Sequence, residues 1–583
     1  MRRLPFLAAL AAHSAGAAVA ARAAGDDRAD LIVHGATIRT MNDATPTAEA
    51  FAVRAGRFVY VGSREGAEAL RGAGTQTLSL AGRTVLPGLI DAHLHATSVG
   101  LALHEADLTR AGTYEEVVRR TVAFARTSPD QWIVGDGWDQ NLWPGKQFPT
   151  HAALSAALPD RPVVLFRVDG HALLANAAAL RLAGIDATTA DPPGGRILHD
   201  GAGAPTGVLV DNAVALVRRV IPAPTPAQLD RALRSAIAEC HRYGVTSICE
   251  ARTTRADLAA LEALANDGAL DLRVYAMLDD DESLLRASFA AGPRDGAYDG
   301  RLWVRAVKLF IDGALGSRGA ALLAPYSDDP SNVGLLLTTP GHVRDMSVRA
   351  LAAGFQVCTH AIGDRGNRIV LDAYEAAFAV RPVRDHRFRI EHAQVLSASD
   401  IPRFAQLGVI PSMQTTHQIS DMAWAQSRLG AERVGGAYAW RSLLDTGAIV
   451  PNGTDAPIEP VNTLRTYHAA IARADEANSP PGGWHPEQRM TRDEALRSMT
   501  IWPAQASFRE HVIGSIETGK YADFVVMDRD WLTIAADEVM RTRIVATYLS
   551  GRRVFDGSHA GAVAEPAERS ARRMAACGCA PVA

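Results

Sequence analysis

Thiols are scarce in this chain: five cysteines among 583 residues are too few for a disulfide scaffold. Cys240, Cys249 and Cys358 fall inside helix or strand patterns and read as small core residues, while Cys577-Gly-Cys579 near the end leaves pairing, metal binding and no role all open. Long apolar runs are missing too. Beyond roughly the first two dozen residues none reaches about 18 positions, so nothing in the mature chain is expected to span a bilayer or stay on a membrane. There is no long basic run, and with a formal net charge of −4 the chain lacks the electrostatic footprint of a nucleic-acid binder. No internal repeat is visible. The partners to expect are a small-molecule substrate and, at most, a second copy of the chain in a homodimer.

What is present is a composition of 48% hydrophobic and 21% charged residues, ordinary for a globular protein and long enough for a barrel with accessories. Residues 1–25, with Arg2 and Arg3 ahead of an alanine-rich stretch and Ala21-Arg-Ala23, have the zones of a secretory signal. The paired arginines and the weak apolar core interrupted by His13 suggest the twin-arginine route, hence a periplasmic or secreted protein. The alternative is a cytoplasmic protein with a misassigned start. Residues 557–583, rich in Ala, Arg and Glu, are expected to be disordered.

Between these ends the punctuation predicts an α/β protein. Short apolar segments at Leu31–Val33, Ala50–Val53 and Arg57–Val61, and again at Gly514–Asp528 and Ile544–Gly551, read as strands separated by turns. Neither group buries much alone, so residues 26–82 and 508–556 are expected to form one small composite β-sandwich. In residues 83–507, apolar runs ending near His95, Glu250, Leu278, Ile311, His360, His392, Met413 and Asp455 alternate with helical patterns. Eight such runs predict a (β/α)₈ TIM-like barrel. The gap after the first run is too long for one loop and is expected to hold an inserted subdomain at about 105–225, before a helix from Pro226 to Tyr243 capped by Thr225.

The first barrel run, Val85-Leu-Pro-Gly-Leu-Ile-Asp-Ala-His-Leu-His95, ends in two histidines two positions apart, whose side chains leave the same face of an extended backbone. A lone His-x-His is a weak sign of metal binding. Here it is joined by Lys308, His360, His392 and Asp455, each after a short apolar run, where barrel enzymes keep their chemistry. Asp139, His171, Asp312, Arg318, Gln394 and His417 are polar loop residues expected to face the pocket and, apart from His417, are the candidates for substrate contact; Trp138, Trp143, Trp303 and Tyr326 are expected as apolar walls.

The segments Leu86–His95, Val307–Arg318, Thr359–Asp364, Arg389–Gln394 and Asn452–Ile458 resemble the amidohydrolase superfamily, in particular its third amidohydrolase family with YtcJ-like and N-substituted formamide deformylase members. The resemblance implies a metal-dependent hydrolase of a carbon–nitrogen bond of amide or N-formyl type. It implies a first ion on His93, His95 and Asp455, a second on His360 and His392, and Lys308 bridging them as a carbamate formed with CO₂. Two such ions, zinc being the first choice for N/O ligands, activate a water whose proton Asp455 would take as general base. An N-acyl-D-amino acid deacylase or a cyclic amide hydrolase remains open. A deaminase fits less well, because Gly363 stands where such enzymes carry a glutamate and Lys308 is present. A non-catalytic protein on an old enzyme scaffold is the reading from another class.

Overall fold

A computed structural model describes residues 28–167, 172–192 and 195–557. The expected signal segment, His171, and the tail with Cys577 and Cys579 lie outside the described residues. The centre of the molecule is a parallel barrel of β1 (Leu89–Leu94), β2 (Val245–Thr253), β3 (Arg273–Leu278), β4 (Leu302–Phe310), β5 (Gln356–Ala361), β6 (Arg389–His392) and β7 (Ile410–Ser412), each hydrogen-bonded to its neighbour in that order. β1, β3, β5 and β6 are buried at every position. That is why they read as near-continuous apolar runs rather than alternating ones: both faces of such a strand are covered.

The expected eighth strand is where the structure departs from the sequence pattern. Residues 449–455 form no regular ladder, because Pro451 has no N–H to give and Asp455 turns into the left-handed region at φ 57°. The segment nonetheless closes the ring. On one side Met413 N donates to Pro451 O (2.9 Å) and Gly453 N to Met413 O (3.0 Å); on the other Ala92 N donates to Asn452 O (3.1 Å) and Asp455 N to His93 O (2.7 Å).

Both terminal segments enter one eight-stranded sheet, joined where Thr84–Pro87 pairs antiparallel with Phe524–Met527. Phe51 packs edge-on against Phe58 and Phe524 at 5.1 Å in its core. Thr84–Pro87 runs through Gly88 straight into β1, so the sheet is anchored next to the strand that carries the histidines. Gly88 has to be small: a Cβ there would lie 2.1 Å from the Thr246 hydroxyl of β2.

At the amino ends of the barrel strands the sheet is locked to the barrel by Arg273. This fully buried guanidinium donates to Asp523 (2.5 and 2.8 Å), Gly300 O (2.5 Å) and Ser550 Oγ (2.8 Å), and lies 3.7 Å over the Tyr521 ring. The insertion holds six strands between Ala106 and Asp211, and the returning helix runs Pro226–Arg242 behind a capping box of Thr225 and Gln228. Four aromatic residues expected as pocket walls are core instead. Trp138 and Trp143 stack inside the insertion, each with its indole N–H on a backbone carbonyl, and Trp303 and Tyr326 are likewise buried. An aromatic ring beside loop residues gains more from full burial than from a solvent-facing wall.

Candidate metal centre

β1 ends in the His93 and His95 pair, with Leu94 between them turned the other way into the apolar core. The backbone bond from Asp455 N to His93 O brings Asp455 to the same place, and its Oδ1 lies 3.4 Å from His93 Nε2 and 3.2 Å from His95 Nε2. From β4 the buried Lys308 places Nζ 3.2 Å from His93 Nε2. From β5 and β6 come His360 and His392, with ring centroids 4.5 Å apart and His392 4.9 Å from His93. All six residues expected at strand ends therefore meet in one cluster.

The outward nitrogens are held from behind. Glu391 Oε2 takes the Nδ1 proton of His93 at 2.5 Å and Gln414 Oε1 that of His392 at 2.7 Å, so each imidazole turns Nε2 inward. Glu391 is fixed in turn by Arg389, at 2.7 Å from Nε to Oε1, and by burial next to it. Burial would push the Glu391 carboxyl up, but Arg389 and His93 outweigh it and hold it well below the usual range. Burial, reinforced by the Lys308 charge, lowers His93 to about 4 and His360 to about 3. Burial also takes His392 well down. The histidines are thus in the neutral form that binds metal.

The donor set suits a divalent ion. It is nitrogen and oxygen without thiolate, and the buried Nε2 atoms of His360 and His417 have no hydrogen-bond partner. Among the described residues, two trios bring their ligand atoms within 4.8 Å of one another: His93, His95 and Asp455, and His392, His417 and Asp455.

The residues expected to touch substrate fare differently. Asp312 is fully buried and both its oxygens are taken by the amides of Ile362 (2.9 Å), Gly363 (2.8 Å) and Ala321 (2.9 Å); burial, offset by these bonds, raises it to about 7. Its Oδ1 also lies 3.7 Å from His360 Nε2. Arg318 is paired with Asp328 at 3.0 Å and partly exposed. Gln394 is buried, donating to Asp421 (3.1 Å) and Tyr438 (2.9 Å). Asp139 caps the turn at Asn141 and pairs with Arg167 at 2.9 Å in the insertion. Sequence reasoning did not assign the orienting roles of Glu391 and Gln414, nor that of Asp91, which ties β1 to the closing segment through Thr454 (3.0 and 2.6 Å). Glu391 and Asp91 lie beside the histidines in the same motifs, and that adjacency was the available signal.

Residues 76–555 match the Amidohydrolase family. The chain belongs to the amidohydrolase family. Its relatives include Protein LONG AFTER FAR-RED 3 of Arabidopsis thaliana (33% identical; 90% of this chain, 92% of that one) and YtcJ of Bacillus subtilis (32%; 90% and 99%). The N-substituted formamide deformylase of Arthrobacter pascens is 28% identical over 90% of this chain and 97% of its own. Among solved structures, a metal-dependent hydrolase from Pyrococcus furiosus superimposes with a TM-score of 0.74 at 30% identity, covering 86% of this chain and all of its own. Family and architecture together support a hydrolase.

Proposed function

We propose that this amidohydrolase cleaves a carbon–nitrogen bond of amide or N-formyl type in a small molecule, with metal ions at the cluster described above. The observation that carries the reading is the meeting of His93, His95, Lys308 and Asp455, drawn from β1, β4 and the closing segment, in one buried place. The formamide deformylase among the relatives supports the bond type. His93, His95 and Asp455 would hold one divalent ion, and His360 and His392 a second. Divalent ions there supply Lewis acidity toward a carbonyl and lower the pKa of a water toward about 7.

The chain's own residues do the rest. Asp455 directs Oδ1 at His93 and His95, which leaves Oδ2 to accept the proton of the attacking water and hand it to the departing nitrogen. Glu391 and Gln414 keep His93 and His392 in the tautomer whose Nε2 faces inward. Lys308 as an ammonium would repel cations beside it. As a neutral amine it would add to CO₂ and lose one proton, giving a carbamate anion whose charge would suit divalent ions beside it.

The test is a metal analysis of the purified protein together with an activity panel of N-formyl amines, acyl amino acids and aryl amides. Between one and two transition-metal ions per chain are expected, with hydrolysis of an amide or N-formyl substrate abolished by chelation. Full activity in a metal-free preparation would end this reading.

A further inference from the structure

His417 has no part in the chemistry above, yet it is aimed into the same cluster. We infer that His392, His417 and Asp455 form an alternative metal position, which competes with the second ion of the reading above for the free nitrogen of His392 and in which an ion takes Oδ2 of Asp455. The inference rests on the metal-dependent reading just given, and goes beyond it in the residue, the location and the effect.

The two oxygens of Asp455 face different ligand sets. Oδ1 lies 3.4 Å and 3.2 Å from His93 and His95, whereas Oδ2 lies 3.5 Å from His417 Nε2. The His417 ring is nearly parallel to that of His392, at 17° and 5.9 Å between centroids. The two rings stack, and the three ligand atoms of the trio all come within 4.8 Å of one another. His417 Nε2 is buried and has no hydrogen-bond partner, a state that costs about 1–3 kcal/mol unless something accepts its lone pair or proton.

The position is also built in advance. The helix Thr415–Asp421 that carries His417 is pinned at its first residue, where Thr415 N donates to Asn452 Oδ1 (3.1 Å), Asn452 Nδ2 to Thr415 Oγ1 (3.0 Å), and Thr415 Oγ1 to Thr466 O (2.8 Å). Asn452 belongs to the closing segment that ends in Asp455. One short stretch, Gln414 to His417, therefore orients the His392 ring and supplies a further imidazole. His360, by contrast, belongs to no such trio among the described residues.

An ion at this position has a chemical consequence. Gln414 holds Nδ1 of His392, so the one free lone pair of that ring serves either this ion or the one shared with His360. An ion seated here occupies the Asp455 oxygen that receives the proton, so the chain loaded in this way turns over more slowly.

Titrating chelator-stripped full-length protein with Co²⁺, read by its visible d–d absorption and by metal content after gel filtration, tests the position independently of activity. At equal metal content wild type is expected to show an absorption component that His417→Ala lacks, and the Co²⁺-saturated variant to hydrolyse substrate several-fold faster than Co²⁺-saturated wild type. His417→Gln, close to histidine in size, replaces the alanine variant if the latter melts at a lower temperature. Identical spectra for wild type and variant would overturn the position, and equal saturated rates would overturn its hold on Oδ2. Wild type that binds no Co²⁺ at all would sink the earlier reading instead.

Discussion

The barrel buries charged and polar side chains at both ends of its strands, and the two clusters differ in how completely their atoms are used. At the amino ends Arg273 is saturated by Asp523, Gly300, Ser550 and the Tyr521 ring, and Arg509 beside it reaches the hydroxyls of Ser247 (2.7 Å) and Ser507 (2.8 Å). At the carboxyl ends His360 and His417 each keep a buried nitrogen without a partner, and the Lys308 amine abuts a neutral imidazole. Burial is equal at the two ends. A closed network fixes structure, while an open one stores unmet ligand capacity, and the second is the mark of a functional site.

The difference predicts that substitutions at one end remove metal and rate, and at the other remove stability. The largest effect is expected from Lys308→Ala, which should lose metal and activity together, with a short carboxylic acid such as acetate restoring part of both by filling the gap. Normal metal content and rate in this variant would make Lys308 a structural cation and blur the contrast. Next comes Asp455→Asn, which keeps one ligating oxygen but accepts no proton; metal should be largely retained while kcat falls by roughly 10²–10⁴.

At the other end, Arg273→Ala strands the buried Asp523 carboxylate and should cost about 3–5 kcal/mol in denaturant unfolding. Metal content and kcat of the folded fraction should not move; a loss of metal would show that the two ends are coupled. The smallest effect concerns His241, which burial lowers from 6.5 to about 4 and whose Nε2 donates to Asp271 O at 2.6 Å. Between these values the unfolded chain binds a proton that the folded chain does not. Its share of stability is therefore complete above pH 6.5 and is lost as the pH falls toward 4, by at most about 3 kcal/mol. His241→Gln, neutral throughout and still a donor, should flatten the stability curve over that interval.

Much of this was legible in the chain, for identifiable reasons. His93 and His95 could be read because a period of two on an apolar strand is a local signal, His360 and His392 because each closes such a run, and Lys308 because it is a charge inside one. The closing segment was readable as the eighth stave but not as irregular, since its pairing depends on Pro451 meeting Met413 while Asn452 and Asp455 meet β1. His417 was visible as a pocket residue; its place in a ligand trio depends on where Asn452 pins its helix, 37 positions away. Asp312 looked like a pocket acid because it follows β4 closely, and only the fold shows three amides waiting for it. Local periodicity carries strands and faces; long-range closure decides which polar groups are left unpaired.

The irregular closing segment has one more consequence. Where a ring of strands normally zips shut with a full ladder, this one is basted by a few stitches: Thr454 to Asp91, residues 363 positions apart, and backbone bonds from Asp455 N to His93 O and from His95 N to Ala456 O across the join. An ion gripped by His93, His95 and Asp455 would span that seam and act as a rivet between the first and last staves. Stripping it should loosen the barrel along one line rather than everywhere, with faster amide hydrogen exchange in β1, β7 and residues 449–456 while the strands opposite stay protected.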